Sequence, residues 1–298
     1  MAVASQPATT SDREQFTTLD WGLFAAVALI WGSSFLLIKI GLDAFHPGLI
    51  TWARVALGAA TLALLPRRRL RLESADRGRL VLLSVVWVAI PFTLFPLAEV
   101  HISSAVTGLL NGAIPIFTGL WGAIAFNRVP RGPQRAGLVV GFLGVALISV
   151  VSSTEGESSA IGVVMVLVAT LCYGLAGNIA GPLQHRYGSV AVMRWMLVLA
   201  TLWTAPFGIF GLFRSEFAVG SAVAVGVLGA VGTGIAFALM ATLVGRVGGP
   251  RGSFVAYVIP VVSLALGVAI LNETVSAWAL GGVALVLAGS MLAGRAER

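Results

Sequence analysis

IPIFTGLWGAIAFN (residues 114–127) and IPVVSLALGVAILN (residues 259–272) are the two stretches that decide the fold. Each is an uncharged apolar run opened by Ile-Pro and closed by an asparagine. Each is followed by a pair of glycines, Gly137 and Gly144 after the first, Gly282 and Gly289 after the second. Pro115 and Pro260, Asn127 and Asn272, and both glycine pairs are separated by the same 145 positions. Upstream, Trp31-Gly32 is matched by Tyr173-Gly174 at 142 positions, and Arg54 and Pro66 by Arg194 and Pro206 at 140. Loop insertions produce drifts of this size, so the chain reads as a tandem repeat.

The medium these repeats need follows from composition. The 298 residues are 58% hydrophobic and only 10% charged, whereas soluble domains carry about 25% charge. The apolar residues come as long uncharged runs, not half-polar periodic patterns. Spanning a bilayer takes roughly 17–25 such residues. Runs 21–42, 48–65, 80–97, 104–126, 160–181, 190–213, 219–244 and 252–271 meet that length, and 137–151 and 278–294 are slightly short. The predicted fold class is an all-α integral membrane protein of ten transmembrane helices. Its expected layout is a polar tail at 1–20, a five-helix repeat at 21–151, a linker at 152–159 and a second five-helix repeat at 160–298. Five is odd, so the second repeat enters from the opposite face and the repeats have inverted topology, an arrangement typical of secondary transporters. Residues 1–20 lack the basic start and cleavage site of a signal peptide. Cys172 is the sole cysteine, which excludes an internal disulfide and leaves an apolar packing role.

Arginines set the orientation. Arg67, Arg68, Arg69, Arg71, Arg77 and Arg79 follow the second run; Arg128, Arg131 and Arg135 follow the fourth; Arg186, Arg246 and Arg251, and Arg295 and Arg298 follow the sixth, eighth and tenth. The alternate loops carry Asp43 and His46, Glu99 and His101, Glu155 and Glu157, Arg214 with Glu216, and Glu273. By the positive-inside rule both termini are cytoplasmic. The net charge of +7 then reflects anionic headgroups, not nucleic acid.

Ala28-Leu29-Ile30-Trp31-Gly32-Ser33-Ser34-Phe35, Lys39-Ile40-Gly41-Leu42, Arg54 and the paired Pro115 and Pro260 resemble the drug/metabolite transporter superfamily, and within it the EamA-type exporters with two five-helix repeats. The resemblance spans 21–294 and implies a bacterial inner-membrane exporter of amino acids, metabolites or drugs, aromatic amino acids among them. It also implies a cavity lined by helices one, three, four, six, eight and nine. An acidic residue typical after the fourth helix of a repeat is present as Glu273 and replaced by Arg128 in the first half.

Candidate substrate-binding residues are the aromatic and small polar side chains of those helices: Trp31, Ser34, Trp87, Phe92, Asn111, Tyr173, Asn178, Phe237 and Tyr257, with Lys39 as a basic member. Rings supply apolar area and a polar handle, while amides and hydroxyls orient a carboxyl or amino group. Arg54 and Lys39 lie near the outer ends of their runs, where the ordinary reading is snorkelling to headgroups; Arg194 reads as interfacial. No carboxylate falls deep in a run, and Glu99 and His101 read as boundary residues. This predicts facilitated export of amphiphilic zwitterions or carboxylates, with proton-coupled drug or metabolite efflux as the alternative. Pro91, Pro96, Pro115 and Pro260, with Gly232 and Gly234 in the second half, are the expected hinges. Gly108 with Gly112, Gly137 with Gly141 and Gly177 with Gly181 read as close helix contacts.

No catalytic or metal-binding constellation is present, since His46, His101 and His185 fall singly in separate loops. A passive channel or a membrane enzyme built on Ser33 or Ser34 with Lys39 are the readings of other classes. No cofactor is implied; the expected partners are a small-molecule substrate and membrane lipid, with no nucleic acid, and a monomer suffices.

Overall fold

The computed structural model describes residues 16–66, 72–127, 132–154 and 159–294. Arg67, Arg68, Arg69, Arg71, Arg128, Arg131, Glu155, Glu157, Arg295 and Arg298, used above for orientation, lie outside them. In chain order the helices are α1 (Thr18–Leu42), α2 (Pro47–Ala63), α3 (Ser74–Leu83), α4 (Ile90–Glu99), α5 (Ser104–Asn111), α6 (Ile114–Ala125), α7 (Pro133–Thr154), α8 (Ala160–Tyr187), α9 (Ser189–Leu212), α10 (Val219–Gly229), α11 (Ala236–Val247), α12 (Gly249–Gly252), α13 (Val255–Leu271) and α14 (Ala277–Gly294). Two π-helical segments, Ser84–Ala89 and Ala230–Ile235, join α3 to α4 and α10 to α11 without a break. No strand occurs among the described residues.

Six continuous stretches are long and apolar enough to cross a membrane: Thr18–Leu42, Ser74–Glu99, Ser104–Ala125, Ala160–Tyr187, Ser189–Leu212 and Val219–Val247. Pro133–Ile148, Val255–Leu271 and Ala277–Leu292 are shorter apolar helices. Only a third to a half of each long stretch is buried inside the protein. Leu29, Leu202, Trp203, Phe210 and Phe213 are each half or more exposed, which is tolerable where the surrounding solvent is lipid.

α1 starts within the polar stretch, because Thr17 caps it in a reciprocal box with Asp20 and satisfies backbone donors that lipid could not. The quoted repeat has a backbone cause at its end. Asn127 and Asn272 both adopt the left-handed region, at φ 53° and 54°, where asparagine is among the few non-glycine residues that sit comfortably. The same stretches correct the expected hinge at Pro115. The fourth run is broken at Gly112-Ala113, and Pro115 falls in the first turn of α6, where its missing N–H would have no helical acceptor anyway. Pro260, by contrast, lies inside α13.

The helices pack in matched pairs. α7 lies along α14 and α2 along α9; α1 packs on α13 and α8 on α6; α2 meets the second π segment and α9 the first. At the α7–α14 contact a side chain at Gly289 would run into the backbone of Gly141, and one at Gly144 into that of Gly282. Gly177 and Gly181 do not form such a contact: a side chain at Gly181 would meet nothing, and one at Gly177 only ordinary neighbours. That pair is therefore not a packing motif.

Candidate functional site

Arg54 on α2 is the residue around which the interior is organised. It is 5% exposed, so it does not snorkel. Its Cζ lies 3.8 Å over the ring of Phe92, and its Nε donates to Thr233 Oγ1 at 3.0 Å. Seven residues past the start of α2, about 10 Å along it, the side chain is long enough to reach a headgroup, but the helix face it occupies aims it inward. Stacking on a ring recovers part of the solvation lost. No described hydrogen bond uses its two Nη groups, so the broad end of the guanidinium fork keeps its donors.

Two unusual backbone segments hold the partners of Arg54. Thr233 sits in the π segment Ala230–Ile235, and its hydroxyl lies 3.2 Å from the carbonyl of Leu228 five residues back, in the register of that segment. Phe92 begins α4 just after the other π segment. Pro91 has no N–H for the carbonyl of Trp87, which favours the wider register there. Pro96 likewise leaves the Phe92 carbonyl without its helical donor, and Thr51 Oγ1 from α2 lies 3.0 Å from that oxygen. The one proton of that hydroxyl is shared with the Pro47 carbonyl at 2.9 Å, so α2 meets the carbonyl freed by Pro96 through a divided bond.

Several of the expected residues converge here. Phe237 lies between Trp31 and Trp87, edge-on to both, with centroid distances of 5.9 and 6.4 Å. Trp31, Trp87 and Tyr173 pack against the buried cluster that contains Phe92 and Phe237. Tyr173 also stacks on Phe95 at 5.8 Å. Ser34 is buried, bonded to the carbonyl of Ile30 and close to Gly232; Gly232 and Gly234 are both buried in the π segment.

The other expected residues sit elsewhere. Asn178 donates to the carbonyls of Thr118 and Gly174, both at 3.0 Å, tying α8 to α6. The Tyr257 hydroxyl donates to the Ser290 carbonyl on α14 at 2.9 Å. Asn111 is buried with its Oδ1 unpartnered. Lys39 Nζ donates to the carbonyl of Glu99 at 2.7 Å and lies 3.4 Å from that of Ile102, closing the end of α4. Arg194, the repeat partner of Arg54, donates to the carbonyls of Leu62 and Leu65 at 2.6 and 2.9 Å, a cation on the C-terminus of α2. It borders a cleft of about 430 Å³ between α2, the α8–α9 turn and α11.

Sequence reasoning missed Arg54 and Glu99. Glu99 is not a solvated boundary residue but is fully buried, and neither carboxylate oxygen has a partner. The expectation of facilitated export took the interior to hold no buried acid, and Glu99, although at the very end of α4, is one. Periodicity carried a signal for it, because Phe92, Phe95 and Glu99 follow each other at helical spacing on one face of α4.

The EamA-like transporter family matches residues 21–150 and 160–295. The chain belongs to that family. Relatives of this EamA-like protein include a probable terminal-alkyne amino-acid exporter of Streptantibioticus cattleyicolor, 26% identical over 280 residues covering 92% of this chain and 93% of that one. Another is a probable amino-acid metabolite efflux pump of Salmonella typhimurium, 25% identical over 288 residues covering 91% and 93%. A protein of known crystal structure superposes with a TM-score of 0.63 at 18% identity, over 94% of this chain and 99% of that one. Fold and family together make the EamA-like chain a multi-pass membrane transporter.

Proposed function

We propose that this EamA-like protein exports small carboxylate-bearing amphiphiles, amino acids with aromatic or other apolar side chains foremost, across a bacterial inner membrane by alternating access. The observation that carries this reading is Arg54: a buried cation with free Nη donors, stacked on Phe92, whose buried cluster also holds Phe237 with Trp31 and Trp87 packed against it. A guanidinium fork matches a carboxylate bidentately, while the rings accept an apolar side chain. A cationic drug would meet like charge in a low dielectric, which disfavours the drug-efflux alternative. The two relatives with amino-acid names point the same way.

Two inverted five-helix repeats, 21–151 and 160–298, are the proposed frame. The π segments start at Ser84 and Ala230, 146 positions apart, close to the spacing of the quoted stretches. The reciprocal packing of α2 and α9 on the opposite π segments suits a pseudo-two-fold. Helices with π segments and the break at Gly112-Ala113 are the natural places to bend.

Exchange of labelled phenylalanine in proteoliposomes tests the reading. Arg54→Gln removes a charge-assisted pair worth about 1.5–3 kcal/mol, so substrate affinity should fall tens- to a hundredfold, with Arg54→Lys intermediate. Undiminished exchange in Arg54→Gln would overturn the assignment.

A further inference from the structure

Glu99 is used by nothing described so far. It ends α4, is fully buried, and offers two carboxylate oxygens that accept no hydrogen bond. The charged groups facing it are Lys39 on α1, Arg54 on α2 and Glu273 after α13. None of these pairs with the Glu99 carboxylate. Lys39 is bonded to the main-chain carbonyl of Glu99 itself, and Arg54 to Thr233 and the ring of Phe92. The Glu273 carboxylate accepts from the Ser104 and Ala105 amides, both at 2.8 Å, and from the Ser104 hydroxyl. Tyr173 on α8 adjoins Arg54, and His101, in the turn after α4, is exposed.

This end of the molecule is closed by bonds between the halves. Besides Glu273, Ser263 Oγ donates to the Ser104 carbonyl at 3.1 Å, the His46 amide to Ser215 Oγ at 2.9 Å, and Ser221 Oγ to the Ile40 carbonyl at 2.9 Å. An ionised carboxylate with no donor in such a place is strongly disfavoured, whereas the neutral acid is disfavoured far less. Opening this end lets water reach the carboxylate and removes that penalty. A ligand shifts an equilibrium by its differential affinity for the two states, and here the ligand is a proton.

We propose that Glu99 is a proton-binding site whose occupancy locks this end of the transporter shut. One proton goes onto a Glu99 carboxylate oxygen as the end closes, and the same proton leaves to water as it opens. The proposal rests on the alternating-access reading, and its sign is fixed: acid holds the end closed and alkali opens it.

The test uses the full chain in lipid nanodiscs, with Cys172→Ala and spin labels on Val100→Cys and Phe217→Cys, both exposed near this end. The label-to-label distance should gain a longer population as pH rises, and Glu99→Gln should stay short throughout. Infrared difference spectra over the same range should show a carboxylic C=O band that Glu99→Gln removes. Opening of Glu99→Gln with pH as in the wild type, or an infrared band unchanged by the substitution, overturns the proposal. A wild type with one distance at every pH, whose infrared band is nevertheless lost in Glu99→Gln, would keep the proton site and sink both alternating access and the lock.

Discussion

At the scale of single residues, the interior turns on which way long side chains point. Arg54 and Arg194 occupy matching places in the repeat, yet one is drawn inward over Phe92 while the other caps the end of α2. Distance from a helix end was readable in the sequence; the helix face was not, because two residues of α2 separate a route to lipid from a route to Thr233. The same holds for Glu99, whose sequence neighbours Val100 and His101 are exposed while it is fully buried. Thr233 gives a test of how tightly the Arg54 fork must be held. Thr233→Val keeps the shape and removes the bond to Nε, leaving a buried charged donor unmet. The cost should be about 1.5–3 kcal/mol, read as at least a tenfold loss in phenylalanine exchange with expression near that of the wild type. Thr233→Ser should restore most of the exchange. Equal activity in Thr233→Val would mean that the hydroxyl does not position Arg54.

At the scale of helices, equivalent distortions arise from different chemistry. In the first half the π register precedes a proline, Pro91; in the second it contains Gly232 and Gly234, with the Thr233 hydroxyl bonded to a carbonyl five residues back. The six membrane-length apolar stretches and the pairing of Asn127 with Asn272 were legible because composition and backbone tolerance leave marks in sequence. The π segments were not, since no residue type requires them, and the break at Gly112-Ala113 was misread as a kink at Pro115. Glu273 shows one helix depending on a residue 169 positions away. Its carboxylate takes the first two amides of α5, an N-terminal cap and an anion on the positive end of a helix dipole at once. Glu273→Ala should destabilise the closed end by roughly 1–2 kcal/mol, five- to thirtyfold in population. The spin-label pair on Val100→Cys and Phe217→Cys should then show the longer distance already at neutral pH. A distance distribution identical to the wild type would show that the cap is dispensable.

For the whole molecule, the charges at the two ends differ in kind. At one end lie Arg77, Arg79, Arg186, Arg246 and Arg251, and the halves are joined there by ion pairs: Asp20 with Arg246, and Asp76 with Arg186 at 2.9 Å. In the loops at the other end Arg214 is the one arginine among the described residues, and the halves meet through Glu273, hydroxyls and main-chain groups. Arginine-rich short loops resist translocation, so the ion-paired end should face the cytoplasm and the Glu99 end the outside. A membrane-impermeant maleimide distinguishes the alternatives in intact cells, in a Cys172→Ala background. Phe217→Cys, at a position 81% exposed, should label at once, and His185→Cys, in the last turn of α8, only after the membrane is permeabilised. The reverse pattern would turn the proton lock toward the cytoplasm. Labelling of both in the same intact cells would mean that the chain inserts both ways and that the arginine asymmetry does not set its orientation.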